Sequence, residues 1–191
     1  MITNQKTKII AFVGLSGAGK SEATDYISEK GYPKVYFGGI IYKAMEEAGI
    51  EITPESQQKF REEIREREGK DFVVKRAITQ VHNLIESGQN RIILDGLYTW
   101  TEYRILKREF PGEMIVIAVV APKKLRHRRL AVRPERPFTQ EEADKRDWAE
   151  IENLEKGGPI AIADHYIMND DNLENLHKQI DTILEEIEFT N

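Results

Sequence analysis

A glycine-rich segment at 14–21, GLSGAGKS, constrains the fold of this chain more than any other feature. It follows the apolar run KIIAFV and precedes EATDYISEKG, which is typical of a helix. The pattern G-x-x-x-x-G-K-[ST] is met by Gly14, Gly19, Lys20 and Ser21. In such a strand–loop–helix unit, backbone N–H groups and the helix N-terminus bind the anionic oxygens of phosphates. The segment therefore predicts a site for a nucleotide.

Each part of this loop has a predicted role. Lys20 is expected to neutralise the outer phosphates, and the Ser21 hydroxyl to bind Mg²⁺. The alternative is a strand–turn–helix corner that merely needs glycines, but a cation at a helix start is unfavourable unless an anion is bound. The residues expected to hold the phosphates are Gly14, Leu15, Ser16, Gly17, Ala18, Gly19, Lys20 and Ser21.

Short β-type runs alternate with longer helical patterns along the chain. The runs are 8–14, 34–38, 91–95, 114–121 and 165–169. Three of them are continuously apolar, as expected for strands of a parallel sheet that helices cover on both faces. The pattern predicts an α/β fold, a three-layer α/β/α sandwich with a five-stranded parallel sheet, in one domain over 1–191.

Local signals mark some connections. Thr139 and Glu142 form a plausible capping box that begins a helix. The segments 131–139 and 156–160 are expected to be mobile because they contain proline or glycine between helical patterns.

The composition narrows the possible partners. The net charge of −5 disfavours nucleic acid as a partner, and the chain has no cysteine for a disulfide or a thiolate nucleophile. Its longest apolar run, MIVIAVVA, falls far short of the roughly 20 residues of a membrane helix. We find no signal peptide and expect a cytoplasmic protein without a membrane partner. The oligomeric state is left open.

An acid for the metal is expected at the end of a second apolar strand. The segment RIILDG places Asp95 there. Alone, such an aspartate is more often a helix cap or a turn residue. Beside a phosphate loop, we expect Asp95 to organise Mg²⁺ and to take part in catalysis.

A strongly basic segment interrupts an otherwise acidic chain. Residues 123–136, KKLRHRRLAVRPER, hold seven Lys or Arg and one acid. Phosphoryl transfer needs cations around the transferring group, so Arg129 and Arg133 are predicted catalytic residues, with Arg129 also binding the nucleotide. Arg126 and Arg136 are reserves. The alternative is a solvated basic helix face.

The chain resembles the small P-loop kinases that group nucleoside monophosphate kinases, adenylate kinases among them, with dephospho-CoA kinases. ILDG resembles their second-strand acid, RRLAVR their lid entry, and TQEEADKRD with IADHYIMND the C-terminal part of dephospho-CoA kinases. The resemblance implies the P-loop nucleoside triphosphate hydrolase fold with a small lid segment at about 126–140. It also implies ATP and Mg²⁺ as cofactors and a small nucleotide-like molecule as acceptor.

One departure from this family bears on the acceptor. Dephospho-CoA kinases carry an aspartate just after the second strand, whereas this chain reads YFGGIIYKAM, with Gly38 and Gly39 there. A sugar hydroxyl benefits from a carboxylate that takes its proton, whereas a monophosphate oxygen is already anionic. A nucleoside or deoxynucleoside monophosphate is therefore favoured. Dephospho-CoA, with Asp95 as the base, and a catalytically weak ATP-binding protein remain alternatives.

The acceptor is expected to bind between about 38 and 76 and the loop after Asp95. Tyr98 could stack on a base, as could Trp100 and Tyr103, or these aromatic residues could pack a helix onto the sheet. Arg61 and Arg65 could reach an acceptor phosphate, although ion pairs along an exposed helix also explain them.

Two other classes of nucleotide protein fit less well. A GTPase switch would carry N-K-x-D and D-x-x-G motifs, which this sequence lacks. An ATP-driven remodelling module would need a second helical domain, for which the chain is too short.

Overall fold

The computed structural model describes residues 6–69, 71–134 and 137–190, and these residues contain five β-strands. The strands are β1 (Lys8–Val13), β2 (Lys34–Tyr36), β3 (Arg91–Asp95), β4 (Met114–Val120) and β5 (His165–Met168). All neighbouring strands pair in parallel, in the order β2-β3-β1-β4-β5. The predicted five-stranded parallel sheet is confirmed.

Helices cover both faces of the sheet. Within the described ranges they are α1 (Lys20–Glu29), α2 (Phe37–Glu47), α3 (Pro54–Glu68), α4 (Phe72–Glu86), α5 (Trp100–Glu109), α6 (Lys123–Ala131), α7 (Gln140–Glu152), α8 (Gly157–Ala161) and α9 (Leu173–Glu186). None of these helices combines the length and the apolar character that crossing a membrane requires.

The alternation of side chains along β1 explains its continuous apolar sequence. Ile9, Ala11 and Val13 face a core formed with α2, α3, α4 and α5. Ile10 and Phe12 face a second core formed with α1 and α9. All five side chains are completely buried, so a polar side chain at any of these positions would lose its hydrogen bonds to water. The three-layer sandwich is confirmed.

The topology brings three strand ends together. β1 lies at the centre of the sheet, with Phe12 in register with Asp95 on β3 and Val13 in register with Ala118 on β4. The connection after β1 leads to β2 on one side of β1, and the connection after β3 leads to β4 on the other side. This reversal opens a crevice at the carboxyl ends of the strands. The loop after β1 opens into this crevice.

Some local expectations hold and others need correction. Thr139 and Glu142 form the predicted capping box at the start of α7. The run 34–38 is a strand only to Tyr36, because Phe37 already begins α2. Part of the segment 156–160, expected to be mobile, lies in α8, and Lys156 before it is only 1% exposed.

Candidate functional site

The loop between β1 and α1 has a backbone that only glycine adopts easily. Gly17 has a φ of +78° and Gly19 a φ of +105°. A Cβ atom at Gly17 would lie 2.6 Å from the Arg126 carbonyl oxygen, and one at Gly19 would lie 2.1 Å from Asn169 Nδ2. The glycines therefore let the loop pack against α6 and against the residue that follows β5.

Lys20, the first residue of α1, reaches back over this loop. Its Nζ donates a hydrogen bond to the Leu15 carbonyl at 3.2 Å. Burial and the nearby Lys156 lower the pKa of Lys20 to about 8, against an opposing effect of Glu150 and Asp95. This ammonium group is therefore short of negative partners, and a bound phosphate would supply them.

The predicted metal residues lie at the start of α1 and at the end of β3. Ser21 is exposed, and Asp95 is buried with its Oδ2 3.7 Å from Lys34 Nζ. Thr24 lies between them: its hydroxyl donates to the Ser21 carbonyl at 2.9 Å, and its side chain is close enough to Asp95 to lower the pKa of that carboxyl group. Burial raises the pKa of Asp95, although Lys34 and Thr24 oppose this effect.

A cation could bind here with oxygen ligands from Ser21 and Asp95. Among the described residues, no cluster of three or more His, Cys, Asp or Glu side chains could hold a metal ion. Mg²⁺ commonly uses one or two protein oxygens together with phosphate and water oxygens, and the donors present here fit that pattern.

Arg129 is the predicted lid arginine that the structure places beside the loop. Its Nη2 donates to Asn169 Oδ1 at 3.3 Å, and Asn169 Nδ2 donates to the Ala18 carbonyl at 2.7 Å. The buried Nη1 of Arg129 has no hydrogen-bond partner among the described residues. Burial and Arg128 lower its pKa. A guanidinium group with an unused buried donor is suited to receiving an anion.

The other arginines of the basic segment differ from Arg129. Arg126 is buried and makes a two-pronged ion pair with Asp147 at 2.6 and 2.7 Å, while donating to the Ser16 carbonyl at 3.1 Å. It anchors the loop from behind. Arg133 lies exposed after α6, and Arg136 falls outside the described residues.

Asp147 is held by two side chains of α6. Besides the pair with Arg126, its Oδ2 lies 2.9 Å from His127 Nε2. Burial alone would raise the pKa of Asp147, but Arg126 and His127 outweigh it and keep the pKa below its ordinary value.

Glu150 on α7 is a contact of the loop that sequence reasoning missed. Its carboxylate accepts hydrogen bonds from the Ser16 N–H at 2.9 Å and from the Ser16 hydroxyl at 2.7 Å. Lys156 Nζ lies 2.8 Å and Arg146 Nε 3.1 Å from the same carboxylate. Burial opposes ionisation, but these partners hold the pKa of Glu150 below its ordinary value.

A signal for this cluster does exist in the sequence. The capping box fixes the start of α7, and the spacing of Ala143, Asp147 and Glu150 then places all three on one helix face. That face is buried. Two acids on an inward face indicate buried partners, although the spacing does not reveal which partners they are.

The predicted acceptor side is lined by aromatic residues. Burial, and next Tyr36, raise the pKa of Tyr98, and Lys156 Nζ lies 5.0 Å from the centroid of its ring. Trp100 stacks on Tyr103 at 5.2 Å, and a Cβ at Gly158 would lie 2.8 Å from Trp100. Trp100 therefore packs α5 against α8, and Tyr103 supports its ring from within α5. The side chains of Arg61 and Arg65 lie outside the described residues.

The two glycines after β2 are covered by an aromatic ring. A Cβ atom at Gly38 would lie 2.4 Å from the Tyr36 hydroxyl oxygen, and one at Gly39 would lie 3.1 Å from Tyr36 Cδ1. The place where the family resemblance leads us to look for an acid is thus occupied by Tyr36.

A cavity of about 870 Å³ opens beside α6. Its lining includes Leu125, Arg128, Phe138 and Asp170, and thus combines apolar and charged side chains. Asp170 follows Asn169, so the cavity lies near the phosphate loop. Its volume is within the range of small-molecule sites.

Comparisons with solved structures agree on the fold. A shikimate kinase from Bacteroides thetaiotaomicron superposes with a TM-score of 0.61 and 14% identity, over 95% of this chain and 98% of that one. A gluconokinase from Sinorhizobium meliloti gives a TM-score of 0.53 and 15% identity, over 95% and 96%. The chain therefore has the fold of P-loop kinases.

Sequence comparisons identify the family. The model of an AAA domain, a P-loop NTPase unit, matches residues 10–153. A UPF0200 protein of Thermococcus gammatolerans is 33% identical over 182 residues, 94% of this chain and 95% of its own. Another, from Sulfurisphaera tokodaii, is 33% identical over 187 residues, 94% of this chain and 97% of its own. The chain belongs to the AAA domain family and to the UPF0200 proteins.

Proposed function

We propose that the protein is an ATP- and Mg²⁺-dependent phosphotransferase that moves the γ-phosphoryl group to a small molecule. The observation that carries this proposal is that two cations beside the same loop lack full compensation by protein groups. Lys20 is buried beside other cations, and Arg129 has an unpartnered buried donor. The kinase names of two proteins with the same fold support a small-molecule acceptor.

The proposed roles follow from the geometry. The loop N–H groups and Lys20 hold the phosphates, and the cavity beside α6 has room for the nucleoside. Mg²⁺, held by Ser21 and Asp95, supplies positive charge to the phosphate oxygens. Arg129 stabilises the charge on the transferred group, and Arg133 is proposed to join it there. An acceptor oxygen forms the new bond to the γ-phosphorus as the bond to ADP breaks.

For the acceptor, we propose a nucleoside or deoxynucleoside monophosphate. The Tyr36 ring covers Gly38 and Gly39, so no carboxylate stands at the position that dephospho-CoA kinases use. A monophosphate oxygen needs orientation and no base. Tyr98, Arg61 and Arg65 are proposed to bind this acceptor.

One observation favours a second candidate, dephospho-CoA with its sugar hydroxyl as the acceptor. The raised pKa of Asp95 makes this buried carboxylate a better proton acceptor than an ordinary aspartate. Asp95 would then take the hydroxyl proton in place of the missing acid.

The test is a screen for acceptor-dependent ADP. The purified protein is incubated with ATP and MgCl₂ and with each nucleoside monophosphate, each deoxynucleoside monophosphate, or dephospho-CoA. ADP formed with one monophosphate supports the first acceptor, and ADP with dephospho-CoA alone supports the second. ATP binding without acceptor-dependent ADP from any of them would leave a catalytically weak binding protein. Turnover that survives in Lys20→Ala would overturn the phosphotransferase assignment.

A further inference from the structure

A buried ion pair links α7 to the residue before α8. The side chains of Glu150 and Lys156 are 1% and 2% exposed, and Lys156 Nζ lies 2.8 Å from Glu150 Oε1. Removing two charges from water is expensive, and apolar residues of similar volume often stabilise a fold as well or better. Stability alone is therefore a weak reason for this pair.

The carboxylate of the pair is bonded to the phosphate loop. Glu150 accepts both the N–H and the hydroxyl of Ser16, so it fixes the middle of the 14–19 loop with two hydrogen bonds. Arg146 joins the same cluster, with its Nε 3.4 Å from the Ser16 hydroxyl oxygen. A displacement of Ser16 would misplace the N–H groups that are to hold phosphates.

A bare carboxylate at this position would repel a nucleotide. Glu150 lies close enough to Lys20 for its charge to be felt there, and Lys156 acts on Lys20 with the opposite sign. Lys156 cannot turn away easily, because it is buried between Glu150 and the Tyr98 ring. Lys156 thus cancels the negative charge that Glu150 brings to the loop.

We infer that Glu150 and Lys156 form a neutral positioning pair, in which Glu150 holds Ser16 and Lys156 removes the repulsion between Glu150 and the nucleotide phosphates. This inference rests on the proposed function, since it assumes that the loop binds a nucleotide.

The test measures binding of Mg²⁺·ADP by calorimetry and thermal unfolding for four variants. Lys156→Met leaves Glu150 with the half-exposed Arg146 as a cationic partner, which compensates its charge less well than the buried Lys156, and we expect about tenfold weaker binding. Glu150→Gln removes the negative charge and keeps one of the two oxygen acceptors that Ser16 uses, so its affinity should be at least equal to that of the wild type. Glu150→Ala loses that acceptor too and should bind about tenfold more weakly than Glu150→Gln. The double variant Glu150→Gln with Lys156→Met should bind like the wild type.

A purely structural role would give a different order. Every single variant would then lose thermal stability and ADP affinity together. Equal weakening in Glu150→Gln and Lys156→Met, or unchanged affinity in Lys156→Met, overturns the inference. If Lys156→Met does not fold, the double variant decides the question. Binding like that of the wild type supports the inference, and binding about tenfold weaker than that of the wild type overturns it.

A matched control is Lys107→Met. Lys107 pairs with Asp164 at 3.0 Å near the start of β4, at the opposite end of the sheet from the loop, and its loss should leave ADP affinity unchanged. If the wild type binds ADP but the variants fall in the wrong order, only the inference fails. If the wild type binds no ADP, the proposed function fails with it.

Discussion

Buried charged groups near the two ends of β3 differ in how completely the protein satisfies them with hydrogen bonds and opposite charges. At the amino end, the guanidinium group of Arg91 donates to the carbonyl oxygens of Phe189 and Lys6 at 2.9 Å, Asn90 at 3.0 Å and Glu188 at 3.2 Å. At the carboxyl end, Asp95 has a raised pKa, Lys20 has a lowered one, and Arg129 keeps a buried donor without a partner among the described residues.

Arg91 is satisfied by the fold itself, whereas the proposed function assigns the incompletely satisfied charges at the other end to recognition of a phosphate. The bonds of Arg91 tie the C-terminal segment to the sheet and replace the water that burial removes. The cations at the other end are desolvated without equal compensation, and that deficit is a free-energy cost that a bound phosphate would relieve. Substitutions at the amino end of β3 should therefore lower the stability of the fold, and substitutions at the carboxyl end should lower turnover.

The largest effect is expected for Lys20→Met. Removal of a cation that faces the transferring phosphates should lower turnover by about 10³-fold. Thermal stability should be unchanged or slightly raised, since a poorly compensated buried charge is lost. The measurements are acceptor-dependent ADP formation and the melting temperature. A variant that melts much earlier than the wild type would place Lys20 with Arg91 as a structural cation.

Arg91→Met should show the reverse pattern. Four carbonyl oxygens lose their donor, and we expect a loss of about 3 kcal/mol in the free energy of unfolding, measured with urea. The rate at 25 °C should stay within about twofold of the wild type, because Arg91 is at the far end of the strand. Arg104→Met, which removes an exposed arginine of α5, is the control for net charge. A large rate loss with unchanged stability would contradict the comparison.

Arg129→Met should lower turnover by about 10²-fold and leave the affinity for ADP nearly unchanged. The reason is that the free donor of Arg129 is proposed to contact the transferred phosphoryl group, which ADP lacks. Separate measurements of kcat and of ADP binding check this. Arg133→Met sharpens the result: an equal loss of turnover would show that both arginines act on the transferred group. A fall in ADP affinity with kcat unchanged would instead assign Arg129 to ground-state binding.

The smallest effect is expected for Asp147→Asn, and it depends on pH. The pKa of Asp147 is lowered in the folded protein, so the carboxylate stabilises the fold above its unfolded pKa of about 4. We expect the variant to lose about 2 kcal/mol at pH 7. As pH falls below about 4, the carboxylate of the unfolded chain takes up protons first, so the difference from the wild type should shrink; it is fully lost only below the lowered pKa of the folded protein. Urea unfolding at pH 7, 5 and 3 measures it, and a constant difference would contradict it.

Features encoded by neighbouring residues could be predicted from the sequence. The phosphate loop is one contiguous motif, and the strand before it and the helix after it are visible in the same twenty residues. Asp95 was found because a buried strand ends there, and parallel strands end at one edge of the sheet. The capping box of α7 is likewise a local pattern.

Features that depend on distant contacts could not be predicted. Ser16 and Glu150 are 134 positions apart, and no sequence pattern near either residue indicates that they are in contact. Arg126 and Arg129 are three positions apart on one helix, yet the first is paired with Asp147 and the second keeps a free donor. The helical period shows that they are neighbours but does not reveal which carboxylate the other helix presents.

The Tyr36 ring over Gly38 has a consequence for how relatives of this protein diverge. In the folded protein a Cβ at Gly38 would lie 2.4 Å from the Tyr36 hydroxyl oxygen, and the ring must move out before any side chain fits. The two positions are thus expected to covary, with a side chain at 38 accompanied by a smaller residue at 36. A relative with a side chain at position 38 would then have changed the tyrosine first and the glycine second.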